Sequence, residues 1–171
     1  GAKGFYTGAT ADSLVAGMHR GGGIITAQDL ADYKPLWREP IKSTYRGYTL
    51  YTMPPSSSGG VTITETLNVL ETYDTLPSFG SAAYAHVLAS AYQRAFIDRN
   101  SKLGDPAFVE VPLTELTSKD YARKLRATID PAKATPTPAL EHLIADGMHT
   151  THYSVVDAQG NAVATTTTLN N

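Results

Sequence analysis

The 171-residue chain contains no cysteine. That absence removes disulfides, thiolate catalysis and cysteine-ligated metals from consideration. It also suits a periplasmic or secreted bacterial protein, the location expected here, although cytosolic chains can lack cysteine too. Charge of either sign is not in excess: 14 basic and 16 acidic side chains give a formal net charge of −2. Such a balance supplies neither a basic footprint for nucleic acid nor a polybasic patch for an anionic membrane. Long apolar runs are missing as well, since stretches such as LIA and SVV are far too short to span a bilayer. The opening GAKGFYTG has neither the charged n-region nor the apolar core of a signal peptide, so an exported protein would carry its targeting segment elsewhere.

What remains is ordinary globular chemistry. Hydrophobic residues make up 42% and charged residues 18%, and the length suffices for one domain with a core. The spacing predicts a helix from Thr7, as N-cap, to Arg20, stopped by the glycines at 21–23. Thr26 and Asp29 have capping-box spacing for a short helix through Asp32. Ile41–Tyr45 and Tyr48–Met53 read as a hairpin around Arg46-Gly47. Helices are expected from Val61 to Tyr73, from the cap Ser81 to Arg99, and from Ser118 to Ile129. On the long one, Tyr84, Val87, Leu88, Ala91, Ala95 and Phe96 form the buried side. Residues 131–147, with three prolines, read as an exposed connector before a second hairpin. Helices with isolated strand pairs indicate an α+β fold.

Few constellations carry chemistry. SSSGG before a helix has the form of an anion-binding turn, but no Gly-Lys-Ser/Thr follows, and a tight turn is the favoured reading. His19, His86, His142, His149 and His152 lack ligand spacing, so neither a metal nor another cofactor is expected. Asp98, Arg99 and Asp105 suggest a structural ion-pair network around the LGDP turn. No Gly-x-Ser-x-Gly elbow is present.

The last stretch, HTTHYSVVDAQGNAVATTTTLNN, is the informative one. Its turn AQG at 158–160 fits a three-residue loop with Gly160 left-handed. That loop pairs Asp157 with Asn161, so partner numbers sum to 318 and Thr150 falls opposite Thr168. A four-residue loop would pair Thr150 with Thr167 instead. Opposed strand residues bring Cβ atoms about 4.5–5.5 Å apart, within reach for two hydroxyls. A threonine hydroxyl becomes a useful nucleophile when its own α-amino group serves as base, which requires it to be residue one of a chain. With a reference pKa of roughly 7.7–8.0, that amine is partly unprotonated near neutral pH. Cutting the His149–Thr150 bond would create such a residue. The strands are also nearly uncharged on both faces, and little else in the chain can cover them. A piece of a larger polypeptide is therefore expected.

TTHYSVVDAQGNAVATTTTLN resembles the start of the small subunit of γ-glutamyltranspeptidases, which are N-terminal-nucleophile hydrolases. GGGIITAQDLADYKPLWREPI, YRGYTLYTMPPSSSGG and LGDPAFVEVPL resemble later large-subunit segments. The resemblance implies part of an αββα sandwich, with 1–149 the C-terminal part of the large-subunit region and 150–171 the N-terminal hairpin of the small-subunit region. It implies a precursor that cleaves itself before Thr150, whose hydroxyl then attacks γ-glutamyl amides such as glutathione. Water or an amine or peptide acceptor resolves the ester. It places Thr168 beside the nucleophile and Asn170 on the substrate's α-amino end. The remaining large- and small-subunit segments are the expected partners, and without them the piece is expected to be inactive. Cephalosporin-acylase-like or capsule-type enzymes of the same scaffold are the alternative, followed by a non-enzymatic relative.

Overall fold

The computed structural model describes residues 1–137 and 151–167. They form two compact units, Gly1–Ile129 and Asp130–Asn171. The sequence-based boundary between 149 and 150 lies outside the described residues.

In the first unit the expected opening helix is two: α1 (Ala2–Tyr6) and α2 (Ala9–Gly21). Thr7 does not cap the second. It ends the first, its Oγ1 donating back to the Lys3 carbonyl at 3.0 Å, and Gly8 takes the N-cap position. A hydroxyl held against an i−4 carbonyl points back along the preceding turn, away from the amides it would have to cap. Gly22, at φ 72°, closes α2 in the left-handed conformation that glycine tolerates. The expected capping box holds for α3 (Ala27–Asp32): the Asp29 amide donates to Thr26 Oγ1 at 3.2 Å, and Asp29 accepts from the Thr26 amide at 2.8 Å.

Strands β1 (Ile41–Tyr45) and β2 (Tyr48–Thr52) pair antiparallel, from Ile41 with Thr52 to Tyr45 with Tyr48. Arg46 and Gly47 both have positive φ, 48° and 86°, as a two-residue type I′ turn demands. Helix α4 (Gly59–Glu71) lies against this hairpin and against α5 (Ala82–Lys102). Gly60 makes that approach possible, because a β-carbon there would overlap the Met53 carbonyl. SSSGG is therefore a close-packed turn, the favoured reading. Ser81 and Ser118 cap α5 and α7 (Lys119–Ala127), each accepting from the amide three residues on at 3.1 Å. The short α6 (Leu113–Leu116), absent from the sequence reading, precedes α7.

One core cluster joins Val69 and Leu70 of α4 to Val87 and Ala91 of α5, Ala122 of α7 and Ile129. A second joins Ile41, Val61 and Leu116. On α5 the buried stripe is Val87, Ala91, Ala95 and Asp98, flanked by Ser90 and Arg94. Phe96 is 47% exposed, contrary to expectation, because it points away from that stripe. Arg94 is buried instead: its Nη2 donates to the Thr128 carbonyl at 2.8 Å, tying α5 to the end of α7.

In the second unit, β3 (Thr151–Val156) pairs antiparallel with β4 (Ala162–Thr167). The fold class is α+β, with two separate two-stranded sheets among the described residues. No described helix is long and apolar enough to cross a membrane.

Candidate active site

The second hairpin is built by its turn. The Asp157 amide donates to the Asn161 carbonyl at 3.0 Å, the Gly160 amide donates to the Asp157 carbonyl at 3.1 Å, and Gly160 has φ 83°. The Asp157 carboxylate accepts from the amides of Gln159 and Asn161, each at 2.9 Å, and from Asn161 Nδ2 at 2.7 Å. The Asn161 side chain first, then these amides, hold that carboxyl below the usual aspartate range. This is the three-residue loop expected from the sequence.

The loop sets the register. Val156 faces Ala162, Tyr153 faces Thr165, and Thr151 faces Thr167, so every described pair sums to 318. That sum is the one on which the pairing of Thr150 with Thr168 rests, and it excludes the four-residue-loop alternative within the described ladder. His149, Thr150, Thr168 and Asn170 themselves lie outside the described residues. Among the described residues, Tyr153, Val155 and Val163 are exposed on one face of the hairpin and Val156 on the other.

The first unit holds two polar groupings that sequence reasoning missed. Asn68, Glu71, Thr72, Lys119, Arg123 and Arg126 line a cavity of about 440 Å³. Lys119 Nζ donates to the Thr44 carbonyl at 2.7 Å, to Asn68 Oδ1 and to Glu71. Lys119 first, then the Arg46 amide, lower the Glu71 pKa. Arg126 stacks over Tyr73, 4.1 Å from the ring centroid. These partners mark a structural junction between α4, α7 and the first hairpin.

The other grouping lies between α4 and α5. Asp98 pairs with Lys102 at 2.8 Å and accepts from the Tyr121 hydroxyl at 2.7 Å. The expected network of Asp98, Arg99 and Asp105 does not form: Arg99 Nε donates to Ser58 Oγ at 3.1 Å, and Asp105 meets Arg38 at 3.8 Å. Beside Asp98 sits Glu65, 1% exposed. A signal for it was available, since Val61, Glu65 and Val69 follow one another at helical i, i+4 spacing on a buried face. Among the described residues no cluster of three or more His, Asp or Glu side chains could hold a metal ion.

Comparison with known proteins decides what the hairpin belongs to. The sequence profile of Gamma-glutamyltranspeptidase matches residues 1–171. The chain belongs to the gamma-glutamyltranspeptidase family. It is 49% identical to the Glutathione hydrolase proenzyme of Pseudomonas sp. (strain A14), over 99% of this chain and 30% of that protein. It is 43% identical to the Acylase ACY 1 proenzyme of Pseudomonas sp. (strain SE83), again over 99% of this chain and 30% of the relative. The crystal structure of Helicobacter pylori gamma-Glutamyltranspeptidase superposes with a TM-score of 0.74 at 41% identity, covering 85% of this chain and 43% of that one. The chain thus spans about 30% of the length of these curated relatives. Within the gamma-glutamyltranspeptidase family, an enzyme family, it corresponds to a segment that the relatives carry inside a longer proenzyme.

Proposed function

We propose that the whole protein is a self-cleaving γ-glutamyltransferase or glutathione hydrolase whose nucleophile is Thr150. The reading rests on the 49% identity to a glutathione hydrolase proenzyme across nearly the entire chain. The threonine-rich hairpin, with its partner sum of 318, agrees with it. In the precursor the Thr150 nitrogen is an amide and cannot act as a base. Cleavage of His149–Thr150 frees it as an amine, which takes the hydroxyl proton as Oγ attacks the γ-carbonyl of the substrate. The C–N bond breaks, the amine product leaves with a proton, and a γ-glutamyl ester on Thr150 remains. Water or an acceptor amine then cleaves that ester. Thr168 stands beside the nucleophile, and Asn170 receives the substrate's α-amino end. The rest of the large and small subunits supply the remaining substrate contacts, and the enzyme works in the periplasm or outside the cell.

The 43% identity to an acylase proenzyme favours a second reading, in which the same Thr150 chemistry opens a different amide. The test is a matched assay of the full-length, processed protein. A chromogenic γ-glutamyl anilide and glutathione are offered beside a glutaryl-substituted cephalosporin. Preferential turnover of the γ-glutamyl compounds supports the first reading; preferential deacylation of the cephalosporin supports the second and overturns the first.

A further inference from the structure

Among the described residues, the Glu65 carboxyl is the one buried group whose surroundings do not explain it. Both of its oxygens are buried without a hydrogen-bond partner. The helix that carries it meets its other polar demands: Thr62 and Thr66 donate to the carbonyls of Ser58 and Thr62 at 2.9 and 2.7 Å, and Asn68 Nδ2 donates to the Thr117 carbonyl at 2.8 Å. A bare carboxylate in such a place is costly and calls for a cause.

The neighbouring charges supply one. From α5 come Asp98 and Lys102; from α7 comes Tyr121, whose hydroxyl donates to Asp98 and accepts from Lys102 at 2.7 Å. Other cations of these helices are engaged elsewhere: Arg94 of α5 at Ser90, Gln93 and Thr128, Arg99 at Ser58, and Lys119 of α7 at Asn68, Glu71 and Thr44. One turn earlier on α4, Val61 packs with Leu113 and Leu116 of α6 and Ile41 of β1. Asp98 and Lys102 already balance one another. An ionised Glu65 would add a second buried anion with no cation of its own, whereas one proton restores neutrality.

We infer that Glu65 is held as the neutral acid, its proton directed at Asp98, and that this shared proton is a latch closing α4 onto α5. Two carboxylates are acceptors only, so they can bond to each other only through a proton. Burial first, and then the adjacent Asp98 charge, push the Glu65 carboxyl up to about 8. An unfolded chain gives up this proton near the ordinary value of 4.5, while the native protein keeps it to about 8. The native state therefore binds more protons across that window. The latch's contribution to stability is fully present below the lower limit, declines as pH rises through the window, and is gone once the native carboxyl itself ionises above about 8.

The test uses the full-length protein, comparing wild type with Glu65→Gln, which keeps the shape and a donor without a titrating proton. The wild-type urea midpoint, relative to that of Glu65→Gln, is expected to fall as pH rises through the window, leaving the variant the more stable protein above about pH 8. A difference between the two that stays constant with pH overturns the latch. Isotope-edited infrared spectroscopy of wild type alone provides a second reading that does not depend on the variant folding. The carbonyl stretch of an unionised glutamic acid should be present near neutral pH and should vanish under alkaline conditions. Spectra with only carboxylate bands at neutral pH overturn the proposal. In Asp98→Asn the same band should vanish at lower pH, because the facing negative charge is gone.

Discussion

Gly60 of α4 sits directly against the backbone of Met53. A β-carbon at residue 60 would overlap the Met53 carbonyl and stand 2.8 Å from the Thr52 hydroxyl oxygen. Because the obstacle is mostly main chain, it cannot turn aside as a side chain would. Gly60→Ala should therefore destabilise the first unit by about 2–3 kcal/mol, the upper part of the range for overpacking. Urea denaturation checks this, and a midpoint equal to wild type would show that α4 can shift freely away from β2.

The turn of the second hairpin makes a prediction about proton binding. Asp157 collects donors from Asn161, Gln159 and Gly160, and its carboxyl titrates below the usual aspartate value. Whatever the carboxylate contributes to the turn is present above the ordinary aspartate pKa and lost as pH falls through the lowered one. Nuclear magnetic resonance titration of the carboxyl carbon should find the low value. Asn161→Ala removes the leading cause and should return the titration toward the ordinary range.

Lys119 joins three acceptors from two elements of the first unit: the Thr44 carbonyl on β1, and Asn68 and Glu71 on α4. Removing the ammonium leaves them without their common donor. Lys119→Ala should cost about 1–2 kcal/mol, the scale for losing a charged hydrogen-bond donor from a partly buried site. Glu71, now held low chiefly by Lys119, should titrate closer to an ordinary glutamate. Its contribution is present above the ordinary value and lost on acidification, so the stability difference between wild type and variant should narrow in acid.

Local chemistry made much of this fold legible before any coordinates. Gly47 after Arg46 and Gly160 in the second loop marked both hairpins, because glycine tolerates the positive φ found at those positions. Thr26 with Asp29, Ser81 and Ser118 marked helix starts through caps that need no distant partner. Reading failed where a residue had two local options or answered to a remote one. Thr7 closed the preceding turn instead of opening the next helix. Asp98 chose Lys102, one turn along its own helix, and Tyr121 from α7 over the adjacent Arg99. Phe96 fell outside the stripe because Arg94 and Asp98 took the buried positions.

The candidate site was legible to a different depth. Of the two loops the turn allowed, the three-residue one implies a partner sum of 318, and the ladder from Val156–Ala162 to Thr151–Thr167 has that sum. The proposal of Thr150 as nucleophile came from resemblance, since hydroxyl spacing alone does not distinguish a reactive threonine from a structural one. Glu65 was readable as a charge on an apolar stripe, but its meaning depended on Asp98, which α5 brings alongside from 33 positions further along the chain.

Under the proposed function the two threonines, Thr150 and Thr168, should separate by role. Thr150→Ser keeps a hydroxyl and should retain self-cleavage at a reduced rate. Thr168→Val keeps the β-branched shape but removes the hydroxyl beside the nucleophile, and should slow turnover of a γ-glutamyl anilide by roughly 10-fold or more, the scale of losing one positioned hydrogen bond of about 1.4 kcal/mol. Steady-state rates on processed protein check both variants, and a Thr168→Val enzyme as fast as wild type would remove Thr168 from the site.

The central claim is that Thr150 is the self-processing nucleophile, and intact mass spectrometry of the full-length protein tests it most directly. Wild type and Thr150→Ala are incubated side by side at neutral pH. The account predicts two wild-type fragments divided between His149 and Thr150, and a single uncut Thr150→Ala chain. A wild type that stays whole, or a Thr150→Ala variant that cleaves at the same bond, would contradict it.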